Sequence, residues 1–366
     1  MKAKDSEIHR VAALDGVRGL AILLVYCFHY LGGSTSHGAM GVVGKIKEAG
    51  WSGVDLFFVL SGYLITTILI NTRNDEWRAR NFYVRRALRI FPIYYTLAVI
   101  LFVAAPIISA HWRLGHIAFL FYGQNIAGQV DGTLCAPSPY IELTHLWSLA
   151  IEEQFYLIWP LLVWHLRPKT LLAVAGCIIV SMPILRIEFE NIAYFIFRYD
   201  GFAMGAALAI SLKAGFQAKR AQWLLLCGIG FLGVGFLQGT ALANHPPMLT
   251  WGITLIEATW VGLIALALQP GLVSRLMSAR WLRFFGRYSY GFYIISGLLL
   301  PGLLKVLPDT TSGRVVWFAV TLALNLTISI CSYHFLELRF LRMKDRLTRA
   351  APTKGEGRLV TADLRG

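Results

Sequence analysis

The chain has 366 residues, of which 56% are hydrophobic and only 15% charged, with a mean hydropathy of +0.58. An ordinary soluble domain carries about 25% charged residues, so the composition excludes a soluble enzyme and points to a polytopic membrane protein. The net charge of +14 would suit a nucleic-acid binder, but its placement along the chain fits membrane topology and anionic lipid instead.

About 20 apolar residues cross the hydrocarbon of a bilayer. Ten stretches are candidates: 13–31, 53–71, 90–110, 146–166, 170–185, 192–212, 223–240, 249–268, 284–301 and 315–335. They predict an all-α transmembrane bundle of about ten spans, a single membrane domain over 1–338 followed by a basic tail over 339–366. With alternate loops inside, 25 of the 34 lysines and arginines fall on the inner side, a positive-inside bias that places both termini in the cytoplasm. Cys27, Cys177, Cys227 and Cys331 fall within spans and Cys135 in an outer loop, so neither a disulfide framework nor a zinc spacing is present. The first apolar run contains Asp15 and Arg18 and is longer than a signal-peptide core, so it is expected to be retained.

In chain order, the first span carries Arg18 near one end and His29 near the other. Their spacing of eleven residues is close to three whole turns, so they share a face and stand roughly 16 Å apart along the axis. Asp15 lies at i−3 from Arg18 and partly neutralises it. Arg18 reads either as an interface-marking arginine or as a working group, and His29 either as a helix-contact residue or as a titratable base. After an outer loop from Gly32 to Gly50, Asp55 opens the second span, where it serves as a helix N-terminal carboxylate or as the partner that orients His29. Ser61 and Gly62 read as close-packing residues.

The inner loop that follows contains Arg85, Arg86 and Arg89, whose i, i+3 and i, i+4 spacings direct two or three guanidinium groups to one side, suited to phosphate. Plain positive-inside anchoring is the ordinary reading of basic residues beside a span. The long outer segment 111–145, with Pro137 and Pro139, is long enough to form a lid or a re-entrant piece. The fourth span opens with HLWSLAIEEQFYLIWP, in which His145, Ser148, Glu152 and Tyr156 share a face. Glu152 and Glu153, adjacent carboxylates in a lipid-embedded helix, are hard to explain as structure. Arg198 and Asp200 stand at the outer start of the sixth span, with Gly201 and Gly205 spaced for close helix contact. Glu257 reads as a buried bundle contact, and Tyr288, Ser289, Tyr290 and Tyr293 enter the ninth span.

Alternating helix direction sorts these residues into two layers. Arg18, Arg86 and Arg89 lie toward the inner side; His29, Asp55, Glu152, Glu153, Arg198 and Asp200 lie toward the outer one. At these positions the chain resembles the acyltransferase 3 family of integral-membrane enzymes, which O-acetylate polysaccharides, lipopolysaccharide and related acceptors. The matching pieces are LDGVRGLAILLVYCFHY, GVDLFFVLSGYLI, RRALRIFPIYY, HLWSLAIEEQFYLIWP, FRYDGFAMGAALA and, more weakly, FGRYSYGFYII, in family order from residue 14 to about 296. Where relatives commonly read Tyr-Leu-x-His, this chain has Tyr293, Ile294, Ile295 and Ser296. No fused hydrolase-like domain is expected after the tenth span.

The resemblance implies a bacterial inner-membrane O-acetyltransferase that takes acetyl-CoA from the cytoplasm, needs no metal, and acts on a carbohydrate or glycolipid hydroxyl. On that basis Arg18, Arg86 and Arg89 are expected to hold the donor. His29, with Asp55, Glu152 and Glu153, is expected to act as general base or acyl relay. His145, Ser148, Arg198 and Asp200 are expected to meet the acceptor. A proton-coupled transporter or flippase of a glycan or lipid-linked intermediate is the alternative from another class.

Overall fold

The computed structural model describes residues 2–31, 47–107, 117–131, 143–189, 196–238, 247–306 and 310–348. Residues 111–116 and 132–142 of the proposed lid over 111–145, with Cys135, Pro137 and Pro139, and the tail beyond 348 lie outside the described residues. The regular structure among the described residues is helical throughout. The α-helices are α1 (Lys2–Tyr30), α2 (Gly53–Asn71), α3 (Arg78–Ala104), α4 (Gln124–Asp131), α5 (Trp147–His165), α6 (Pro168–Glu188), α7 (Asp200–Lys213), α8 (Gln222–Gln238), α9 (Ile253–Ala267), α10 (Leu272–Met277), α11 (Arg280–Leu304), α12 (Thr311–Ser332) and α13 (Leu338–Leu347).

Among the described residues, six helical stretches are long and apolar enough to cross a membrane: Ala12–Tyr30, Lys47–Asn71, Arg78–Ala104, Pro168–Glu188, Met248–Ala267 and Ser312–Lys344. These correspond to six of the ten spans read from the sequence. The other four stretches are helical over α5, α7, α8 and α11. Two have a plain reason to fall short: α7 begins only at Asp200 and has 14 residues, and α11 carries arginine, glycine and serine among its aromatic residues.

The chain divides into two compact units. The first comprises Met1–Ile70 and Gln154–Ser289; the second comprises Asn71–Glu153 and the described residues from Tyr290 onward. In the first unit, Ala13, Val17 and Ala21 of α1 share a buried core with Leu56, Val59 and Leu60 of α2 and with Ile264, Ala265 and Ala267 of α9. Glycine permits the closest approaches. A Cβ on Gly205 would strike the carbonyl oxygen of Val59, and one on Gly286 would strike that of Asp15. Backbone atoms cannot yield as a flexible side chain can, so α7 meets α2, and α11 meets α1, only where no side chain intervenes.

The first unit also carries a polar lock between α6 and α7. Arg186 and Asp200 are both almost wholly buried. The guanidinium donates from Nη1 to Oδ1 at 3.0 Å and from Nη2 to Oδ2 at 2.7 Å. It also donates from Nε to the Thr250 carbonyl at 3.1 Å and from Nη1 to the Phe197 carbonyl at 2.7 Å. Thr254 Oγ1 completes the shell by donating to Asp200 Oδ2 at 2.6 Å. Bidentate geometry with the remaining donors satisfied is what allows an ion pair to survive burial.

In the second unit α3 packs along α13. Two tyrosine hydroxyls of α3 donate to carbonyls of the following 3₁₀ turn, Tyr94 to Phe119 at 2.7 Å and Tyr95 to Leu120 at 3.0 Å. Tyr94 stacks against both Phe119 and Tyr122, with ring centroids 4.5 and 4.3 Å apart. Tyr122 has a positive φ of 55°, a conformation costly for a side-chain-bearing residue, and this aromatic stack holds it there.

Two stability outcomes follow from this packing. Gly205→Ala should lower the thermal unfolding midpoint in detergent, with a cost of about 1–3 kcal/mol from overpacking against backbone. Asp200→Asn should cost about 3–5 kcal/mol by leaving Arg186 charged and uncompensated, read as a fall in the same midpoint, whereas the joint replacement of Arg186 and Asp200 by Met and Leu should recover much of the loss.

Candidate active site

Within the first unit, α1 carries Arg18 and His29 about three turns apart on one face, as the helical spacing requires. Arg18 Nη1 donates to Asp15 Oδ1 at 2.7 Å, the i, i+3 pair expected from the sequence. His29 lies in the last turn, half-buried, with its ring edge-on to Phe28 at 5.1 Å between centroids. Its imidazole makes no hydrogen bond to a described residue, and it feels the positive charge of Lys47.

Asp55 stands in the first turn of α2, wholly buried. Its Oδ1 accepts from Arg198 Nη2, while Oδ2 has no partner among the described residues. Arg198 is equally buried and lies 6.0 Å from the centre of the Trp51 ring. The carboxylate considered from sequence as the orienting partner of His29 thus makes its hydrogen bond to Arg198 instead. Asp200, expected to meet an acceptor, is held by Arg186 and Thr254. Glu257 of α9 is the third buried carboxyl of this group: it faces Asp55, Asp200, Arg198 and Arg186, and neither of its oxygens has a partner among the described residues. Arg186 belongs to none of the sequence motifs; the signal that pairs it with Asp200 is an arginine and an aspartate at matching depth on consecutive spans.

The second unit holds the other expected residues. His145 sits in the 3₁₀ turn Thr144–Leu146 that leads into α5. Its Nε2 lies 3.1 Å from the Ile294 carbonyl, and its ring sits against Gly297 of α11, where a Cβ would collide with it. Tyr293 hydroxyl donates to the His145 carbonyl at 2.6 Å and stands 2.6 Å from Ser148 Oγ. His145, Ser148 and Tyr293 form one polar group at the start of α5. Ser296 donates to the Tyr293 carbonyl at 3.2 Å within its own helix.

Glu153 is half-buried in the second turn of α5, with a buried Oε1 that lacks a partner among the described residues, and Arg86 faces it electrostatically. Arg86 also lies 5.9 Å from the centre of the Phe82 ring. Arg89 faces Glu337, the last residue of the π turn before α13. Arg85 makes no hydrogen bond or ion pair with a described residue, and its Nε is buried. The three arginines that the sequence grouped on one side therefore have three different surroundings. Glu152 is engaged by neighbouring groups. No cluster of three or more histidine, cysteine or acidic side chains among the described residues is placed to hold a metal ion.

Comparison with known proteins gives these residues a context. The chain is 31% identical over 359 residues to the peptidoglycan O-acetyltransferase OatA of Listeria monocytogenes, covering 89% of this chain and 55% of that protein. It is 29% identical over 375 residues to the putative peptidoglycan O-acetyltransferase YrhL of Bacillus subtilis, covering 90% and 55%. It is 28% identical over 359 residues to the O-acetyltransferase OatA of Staphylococcus aureus, covering 88% and 56%. The chain spans about half the length of these curated relatives. No solved structure matches. A family model described as an acyltransferase domain matches residues 11–334, which contain every candidate site residue named above, and the chain belongs to that family.

Proposed function

We propose that this chain is a membrane O-acetyltransferase that moves an acetyl group from acetyl-CoA, taken from the cytoplasmic side, to a hydroxyl of a cell-surface carbohydrate such as peptidoglycan. The observation that carries the reading is His29: a half-buried imidazole in the last turn of an apolar helix, with no hydrogen bond to a described residue. The family membership and the likeness to peptidoglycan O-acetyltransferases support the reaction class and a carbohydrate acceptor.

In this reading the imidazole takes the proton from the acceptor hydroxyl as its oxygen attacks the thioester carbonyl. The carbon–sulfur bond breaks, and the departing thiolate receives that proton from the imidazolium, leaving an ester and a free thiol. Arg86 and Arg89 hold the donor phosphates by charge-assisted hydrogen bonds. Arg18, roughly 16 Å along the helix from His29, marks the end from which the donor arm enters. His145 and Ser148 are assigned to the acceptor. Asp55, Arg198 and Asp200 support the outer end of the first unit as positioning residues, and Glu152 and Glu153 supply carboxyl groups to the second.

Purified protein incubated with radiolabelled acetyl-CoA and soluble peptidoglycan fragments should transfer label to the glycan. His29→Ala should lower that rate by about 10²–10⁴-fold, the range for loss of a general base, with no change in the thermal unfolding midpoint; an undiminished rate would remove His29 from the mechanism. Replacing Arg86 and Arg89 together by Ala should raise the KM for acetyl-CoA by about tenfold or more per lost charged contact, leaving the KM for the glycan unchanged. Equal effects on both substrates would count against a donor site there.

A further inference from the structure

The second unit contains a groove that the acyl-transfer reading does not use. It has a volume of about 530 Å³ and is walled by Leu88, Phe91, Pro92, Val99 and Ile100 of α3 and by Phe340 of α13. Val99 is 61% and Ile100 55% exposed, so the groove opens outward along the helix. Pro92 adds to its character, because a proline inside a helix cannot donate to the carbonyl four residues back, here that of Leu88.

One end of this apolar strip is cationic. Arg85 lies three residues before Leu88 and seven before Pro92, on the same helical stripe, and makes no hydrogen bond or ion pair with a described residue. Its Nε is buried without an acceptor, a donor that a bound anion would satisfy. The helix α13, which packs on α3 and lines the groove with Phe340, adds two exposed arginines, Arg339 and Arg342. Met343 and Leu347 are exposed on the same short helix, the composition of a helix lying in a membrane interface.

We propose that this groove is a binding site for an anionic phospholipid, whose acyl chain lies along α3 while its phosphate is held by Arg85 with Arg339 and Arg342 alongside. The dimensions agree. From Arg85 to Ile100 is 15 residues of helix, a rise of roughly 22 Å; that is about half of a bilayer of ~40–45 Å including headgroups, the depth of one lipid from phosphate to chain end. A coenzyme A molecule matches less well, because its long polar adenosine and pantetheine arm would face apolar walls. Arg85 is thereby given a role apart from Arg86 and Arg89, which face Glu153 and Glu337.

The test reads lipid retention and needs no enzymatic activity, so its failure is distinguishable from failure of the acetyltransferase reading. The detergent-purified chain is exchanged against an equimolar mixture of phosphatidylglycerol and phosphatidylcholine, and retained lipid is counted by native mass spectrometry. The wild-type chain should keep one phosphatidylglycerol in preference to phosphatidylcholine. Arg85→Gln should weaken that retention by at least tenfold, and Val99→Trp, which fills the groove while leaving every arginine in place, should do likewise. Equal retention of the two lipids, or wild-type retention in both variants, would overturn the proposal. Displacement of the lipid by acetyl-CoA at a one-to-one ratio would also overturn it by making the groove a donor site.

Discussion

A charge in hydrocarbon has to be neutralised by a partner of matched geometry or kept beside water, and this constraint orders the first unit. Arg186 meets it fully, with every nitrogen donating and both oxygens of Asp200 engaged. Arg198 meets it with Asp55 and the face of Trp51. The two pairs join α6, α7 and α2 at one depth, so the helices are held by directional bonds as well as by packing. That matters in lipid, where apolar contact between helices has little advantage over contact with acyl chains. Glu257 adds a third carboxyl to the two guanidinium groups, and Gly201 leaves the space it occupies.

Against that background, polar groups that are not engaged stand out. His29 and Arg85 each have a polar side chain that meets no hydrogen-bonding partner among the described residues, and each lies at the end of an apolar run. Their chemistry differs. An imidazole, whose ring nitrogens can both accept and return a proton, suits a reaction at a hydroxyl, whereas a permanently charged planar guanidinium suits recognition of a phosphate. The same comparison separates His29 from Asp200, whose carboxylate is already saturated by its neighbours.

Much of this arrangement was legible in the residues. The helical class followed from apolar length, the Arg18 to Asp15 pair from i, i+3 spacing, and the close approach at Gly205 from its four-residue spacing to Gly201. The ordered motifs pointed to the acyltransferase family that the match over residues 11–334 establishes. Less legible were the lengths of the later helices. The stretch 192–212 reads as one span, yet α7 starts at Asp200 because the backbone at 197–199 is not helical and places Asp200 against Arg186.

The amino-acid sequence by itself determined what depends on near neighbours along the chain: which segments are helical and apolar enough for a membrane, which residues share a helix face, and which charges pair within a turn. Only the tertiary structure decided the partners of side chains on different helices. Asp55 takes Arg198, Asp200 takes Arg186, and Arg85, Arg86 and Arg89 part company although they lie within five residues. The physical reason is that a hydrogen bond is set by a few ångströms of reach between elements far apart in sequence, and no spacing along one helix specifies which neighbour will stand opposite.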